Sequence, residues 1–260
     1  MKTKPDIVLV GAGNLATQLG ITLRDNGFPV VCVYSRTSDS AATLGKRLHV
    51  PYTNNLADIP SDAGIYIFSV KDDALPGLLE IFPSNQGLWV HTAGSIPLSI
   101  FENYADRYGV VYPLQTFSKN RDVSFGDVPV FVEANNDRDN SLLLDFARGF
   151  SKKVVPLSSE KRKYYHLAAV FACNFSNHMY TLASEILDQQ DLDWKFLQAL
   201  IRETAAKIED LSPADAQTGP AIRYDLEIIN KQLELLQGDE IKQELYEKIS
   251  YNIHNRQQIS

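Results

Sequence analysis

The chain is 260 residues long, 44% hydrophobic and 22% charged, a composition that excludes a disordered or fibrous protein and allows one large domain or two modest ones. A formal charge of -7 argues against a nucleic-acid partner, which asks for a basic face, yet leaves room for a basic pocket around a small anion. Cys32 and Cys173 each lie inside an apolar run; one disulfide between them is the alternative, and two buried free thiols of a reducing cytoplasm are the expectation.

The opening "MKTKPDIVLVGAGNLA" mimics a secretory leader, but its apolar run is short and bracketed by Asp6 and Asn14, so it reads better as a first strand. No run approaches the roughly 20 apolar residues that span a bilayer, so no membrane partner is expected. The histidines are scattered without metal-ligand spacing, and no metal is expected.

Short β-branched runs then alternate with amphipathic stretches. "DIVLVGA" (6–12) reads as a strand and 14–26 as a helix; "PVVCVYSR" (29–36) reads as a strand and 38–49 as a helix. "AGIYIFSV" (63–70) and "GLWVHTAG" (87–94) are continuous apolar runs, as parallel strands buried on both faces require. "YGVVYPLQTF" (108–117), "VPVFVEA" (128–134) and "KKVVPLS" (152–158) complete the series. Such alternation predicts an α/β fold with a doubly wound, mostly parallel sheet.

After residue 158 no good strand remains. Residues 160–189 read as one long helical stretch whose middle, "HLAAVFACNF", is apolar nearly all round and is expected to be buried in a bundle or an interface. Three further helical stretches follow, broken by the turn-rich "SPADAQTGP" (212–220). The expected organisation is a Rossmann-like nucleotide domain at 1–157 and an all-α domain at 158–260 for substrate binding and dimerisation.

Gly11, Gly13 and Ala16 form a G-x-G-x-x-A pattern that ends the first strand and opens a helix at Asn14 and Leu15. The first glycine permits a tight turn, the second a close backbone approach to pyrophosphate, and the small third residue close helix–strand packing. The helix start then offers its free N–H groups to the phosphates. At the end of the second strand an acid would hold the ribose of NAD, but this chain has Ser35, Arg36 and Thr37. A guanidinium there matches a 2′-phosphate in a charge-assisted, bidentate way, so the expected cofactor is NADP. No tyrosine has a lysine four residues on, which excludes a short-chain dehydrogenase.

With these residues assembled, the chain resembles the superfamily of pyrroline-5-carboxylate reductase, ketopantoate reductase, prephenate dehydrogenase and the β-hydroxyacid dehydrogenases. "VHTAGS", "YPLQTF", "HLAAVFACNF" and "TGPAIRYD" resemble, more closely, a group of proteins labelled NADP oxidoreductases by similarity, with a C-terminal helical domain of unknown function. The resemblance implies that "FSVKDDAL", with Ser69, Val70 and Lys71, passes beside the nicotinamide ribose. Two departures stand out. The group's "HxSG" is His91, Thr92, Ala93 and Gly94 here, and its "HPLQTF" begins at Tyr112.

Ligands of doubly wound sheets collect at the carboxyl ends of the strands, which groups 69–72, 91–95 and 112–117 around one cleft that the helical domain is expected to roof. His91, Thr92, Tyr112, Gln115, Thr116 and Arg223 are the candidate substrate contacts. His166, Val170, Asn174 and His178 are spaced by four and drift slowly around one helix face. Histidine suits proton donation near neutral pH, so His166 is the first candidate for the acid. The resemblance gives Asn174 the role of orienting substrate, although the lysine that accompanies it in the β-hydroxyacid dehydrogenases is Val170 here. Thr218 or Asp215 is expected to cap one helix that carries both Arg223 and Asp225. The expected activity is hydride transfer to or from a small carbonyl, imine or hydroxy-acid substrate. The alternative is a non-catalytic NADP-binding sensor or partner-binding protein, and the superfamily implies a homodimer.

Overall fold

The computed structural model describes residues 4–257, the last by its backbone only. The chain divides into two compact units, Met1–Asn174 and Phe175–Ser260. In the first, β1 (Ile7–Val10), α1 (Asn14–Asp25), β2 (Val30–Tyr34), α2 (Ser38–Leu48), β3 (Tyr52–Thr53), β4 (Ile65–Phe68) and α3 (Leu75–Leu79) lead to β5 (Leu88–His91) and β6 (Tyr108–Pro113). Then come β7 (Val130–Ala134), α4 (Asp137–Arg148), β8 (Val154–Pro156) and α5 (Ser159–Ala169).

The strands form one sheet in the order β3-β2-β1-β4-β5-β6-β7-β8. It is parallel from β3 through β6, and β7 runs antiparallel to β6 with β8 parallel to β7. The apolar runs explain this arrangement. β1, β4 and β5 are buried at every position, because alternate residues feed two cores on opposite faces. Ile7, Leu9, Ile65 and Ile67 join α1 and α4 through Leu19, Leu23, Leu143 and Phe146. Val8, Val10, Tyr66 and Phe68 join Leu75, Leu79, Trp89 and Phe101 on the other face. Each such side chain contributes roughly 1.5–3 kcal/mol when fully buried.

The second unit holds α6 (Ser176–Asp188), α7 (Gln198–Asp210), α8 (Pro220–Arg223), α9 (Leu226–Leu235) and α10 (Glu240–Gln257). Its interior is thin: among the described residues only Ala221, Ile229 and Ser250 are buried. Phe196 stays 86% exposed and Leu235 84% exposed.

In the apolar stretch "HLAAVFACNF" Leu167, Phe171 and Phe175 are exposed. Two expectations are corrected. Cys173 is exposed, while Cys32 is buried and both are free thiols. Arg223 and Asp225 do not share a helix. Tyr224 adopts a left-handed conformation at φ 50° that ends α8, and Asp225 begins α9 by accepting the Ile228 N–H. Neither Thr218 nor Asp215 caps α8, whose N-cap is Gly219.

Candidate functional site

The carboxyl edge of the sheet lines up the cofactor candidates strand by strand. β2 ends in Ser35, Arg36 and Thr37, β1 in Gly11 to Leu15, and β4 in Ser69, Val70 and Lys71. The sheet order reverses between β1 and β4, the switch point at which open α/β sheets leave a crevice. Gly11 turns the chain there at φ 121°, and a Cβ on it would lie 2.3 Å from the Ser69 carbonyl oxygen. Packing therefore forces glycine at position 11.

Gly13 is different, because a Cβ on it would meet no atom of the described residues within 4 Å. Its bareness serves what approaches from outside. Behind it α1 begins without a side-chain cap and without an acid in its first turn, so its N–H groups face outward with their partial positive charge intact. Arg36 is exposed one strand away, and Thr37 bonds to the Ser40 hydroxyl at 2.8 Å. An open glycine, an uncapped helix and a neighbouring guanidinium fit a dinucleotide that ends in a 2′-phosphate.

The next strand ends carry the second cluster. The Ser69 and Thr92 hydroxyls lie 3.0 Å apart and join β4 to β5. His91 is fully buried: its ring leans on Phe101 at 5.6 Å, and its Nδ1 accepts the Ala93 N–H at 3.2 Å. Burial, helped by the Arg162 charge, lowers its pKa from 6.5 to about 3. Its side chain is thus placed in the core as a neutral imidazole. Gln115 and Thr116 are exposed beyond β6, in a loop held by the stacking of Phe117 on Phe125 and by a 2.7 Å bond from Gln18 to the Ser118 carbonyl. Arg223, in the second unit, is exposed.

Tyr112, near the end of β6, meets His166 of α5, with its hydroxyl 3.0 Å from Nδ1. Gly94 forms the seat of this pair. A Cβ at that position would sit 2.6 Å from His166 Nδ1 and 2.8 Å from Tyr112 Cζ. Burial raises the Tyr112 pKa, against the lowering effect of the Arg162 charge.

The helix that presents His166 is anchored one turn earlier by groups that sequence reasoning missed. Arg162, 1% exposed, bonds to Glu133 of β7 at 2.8 Å and to the Ile96 carbonyl at 2.6 Å. Ser159 donates to Glu133 at 2.6 Å and accepts the Leu98 N–H at 2.8 Å. A basic residue four positions before a candidate acid was the one available signal.

Past His166 the helix changes pitch, for Val170–Phe175 is a π-helix. A spacing of four overshoots a turn by about 40° in an α-helix, and falls short by about 30° at the roughly 4.4 residues per turn of a π-helix. The two errors cancel between His166 and Asn174. The expected drift is therefore corrected, and the two residues share one helix face.

Comparison with known proteins gives a consistent picture. Residues 128–253 match a family model described as a domain of unknown function (DUF2520). The chain is 47% identical to the putative NADP oxidoreductase BF3122 from Bacteroides fragilis over 97% of this chain and 98% of that one, with a TM-score of 0.92. Protein TM1727 from Thermotoga maritima is 21% identical, covering 96% of this chain and 98% of its own, with a TM-score of 0.79. A 1-pyrroline-5-carboxylate reductase from Streptococcus pyogenes is 12% identical, covering 97% and 99%, with a TM-score of 0.64. The last two likenesses are of fold. No curated protein matches the chain.

Proposed function

Since the chain belongs to the family of the Bacteroides fragilis protein, we propose that it is an NADP(H)-dependent oxidoreductase acting on a small carbonyl, imine or hydroxy-acid substrate. The observation that carries this reading is the open space before Gly13, beside an uncapped α1 and an exposed Arg36. Backbone N–H groups of Gly13, Asn14 and Leu15 would hold the pyrophosphate past the turn at Gly11. Ser35, Arg36 and Thr37 would hold the 2′-phosphate, and Ser69, Val70 and Lys71 the nicotinamide ribose. Reduced NADP, when bound, supplies a hydride to the electrophilic carbon of the substrate. His166 provides the proton that the adjoining oxygen or nitrogen takes up, and Asn174, on the same helix face, orients that atom.

Calorimetric titration with NADPH and NADH tests the cofactor. A charge-assisted bond contributes roughly 1.5–3 kcal/mol, so Arg36→Ala is expected to weaken NADPH binding about 10- to 100-fold and to leave NADH nearly unchanged. Equal affinity for both nucleotides before and after the substitution would remove Arg36 from the site.

The exposed apolar residues of the second unit support a homodimer, since Phe196, Leu200 and Leu235 are too large and too exposed for a finished surface. Sedimentation equilibrium is expected to return twice the 29.1 kDa chain mass; a monomer at micromolar concentration contradicts the pairing.

A further inference from the structure

We propose that Tyr112 is the positioning residue of His166: its hydroxyl donates to Nδ1 and so keeps the imidazole proton on Nε2, which poises the site for reduction. The inference rests on the reading of His166 as the proton source and adds to it a direction and a partner.

The argument starts from the hydroxyl. Tyr112 is only 8% exposed, and among the described residues its oxygen has one hydrogen-bond partner, His166 Nδ1 at 3.0 Å. If Nδ1 carried the proton, the phenol oxygen would accept it, and the O–H of this largely buried residue would have no acceptor among the described residues. Such an orphan donor is costly. Donation from the phenol to Nδ1 leaves no orphan, and a neutral imidazole whose Nδ1 accepts must carry its proton on Nε2. Burial works in the same direction, because it disfavours the phenolate and keeps the donor protonated.

The surroundings fix the pair in place. Gly94 admits both rings where any side chain would push them apart. The Arg162–Glu133–Ser159 clamp holds the preceding turn of α5. His166 itself is half-buried, and among the described residues its Nε2 makes no hydrogen bond and is not one of the buried atoms left without a partner. The proton-bearing nitrogen is therefore the accessible one.

The step balances as follows. The substrate carbon accepts the hydride with its electron pair, and the π pair of its double bond moves to the oxygen or nitrogen. That atom takes the Nε2 proton. Nδ1 takes the hydroxyl proton of Tyr112 as the Tyr112 oxygen takes one from solvent, so the ring and the phenol both end neutral and no phenolate stands in the buried site.

The test needs neither substrate nor cofactor. The protein labelled with 15N-histidine is examined by NMR at about pH 8.5, where an ordinary imidazole is neutral, and His166→Gln assigns the signal. His166 is expected to show an unprotonated Nδ1 and a protonated Nε2 in the native protein. In Tyr112→Phe it is expected to relax to a mixture of tautomers. The His91 signal, set by the Ala93 N–H, should not move, which reports that the fold is intact. A protonated Nδ1 in the native protein overturns the proposal even if the variant fails to fold. So does an unchanged His166 signal in the variant. A failed NADPH titration would sink the functional reading and leave this tautomer result standing.

Discussion

Replacing Glu133 with alanine is expected to cost about 3–5 kcal/mol of folding stability, the loss typical when one partner of a buried ion pair is removed. Arg162 is 1% exposed and Glu133 19% exposed, so solvent does little to screen the charge left behind. The carboxylate also receives the Ser159 hydroxyl, and its loss leaves two donors with poorer partners. Urea unfolding followed at Trp89, buried in the sheet, in a Trp194→Phe background would measure the effect. A cost under about 1 kcal/mol would place the pair with ordinary exposed salt bridges. The double variant Glu133→Leu with Arg162→Met is expected to recover much of the loss, because apolar replacement of a buried pair is often neutral. The expectation concerns α5 as well as stability, since the clamp is what seats the turn before His166.

The second large effect is acid sensitivity through His91. Its folded pKa lies at about 3 against 6.5 for the free side chain, so below pH 6.5 the unfolded chain binds a proton that the folded chain refuses. The contribution of neutral His91 is therefore complete above about pH 6.5. It falls by about 1.4 kcal/mol per pH unit and levels off near pH 3. Between pH 7.5 and 4.5 this single residue should remove roughly 2–3 kcal/mol. Urea midpoints of the native protein and of His91→Gln at both pH values give the answer as a difference of slopes. The variant should be the less pH-dependent of the two. Parallel slopes would mean that His91 is protonated in the fold, contrary to its burial against Phe101.

The sheet was readable in the sequence because each strand is a compact apolar run bounded by turn residues, and buried parallel strands have no other appearance. Gly11 and Gly13 were readable for the same local reason, since a whole phosphate loop fits within a few residues. β3 and α3 were not, being two and five residues long, too short to display a period. The clamp and the proton pair escaped because they join residues 29 and 54 positions apart, a distance across which side-chain type alone carries no pairing information. Tyr112 illustrates the difficulty. Alone it looked like the loss of a histidine from the usual motif, whereas in the fold it has His166 beside it. The apolar run around Cys173 was read as one that wants cover, and its large side chains are exposed. Composition does not say whether the cover comes from the same chain.

The π-helix between Val170 and Phe175 has an evolutionary meaning. A π turn is an α-helix that has taken in one residue without adding a turn, so its phase is held by a single codon. Deleting that codon would let the segment close into regular α-helix. His166 and Asn174 would then stand seven residues apart, about 20° from alignment around the axis, and would still share a face with neither residue changed. The pair therefore tolerates the gain or loss of that one residue, and what a single genetic event redirects is the set of side chains between the two, inside the π turn.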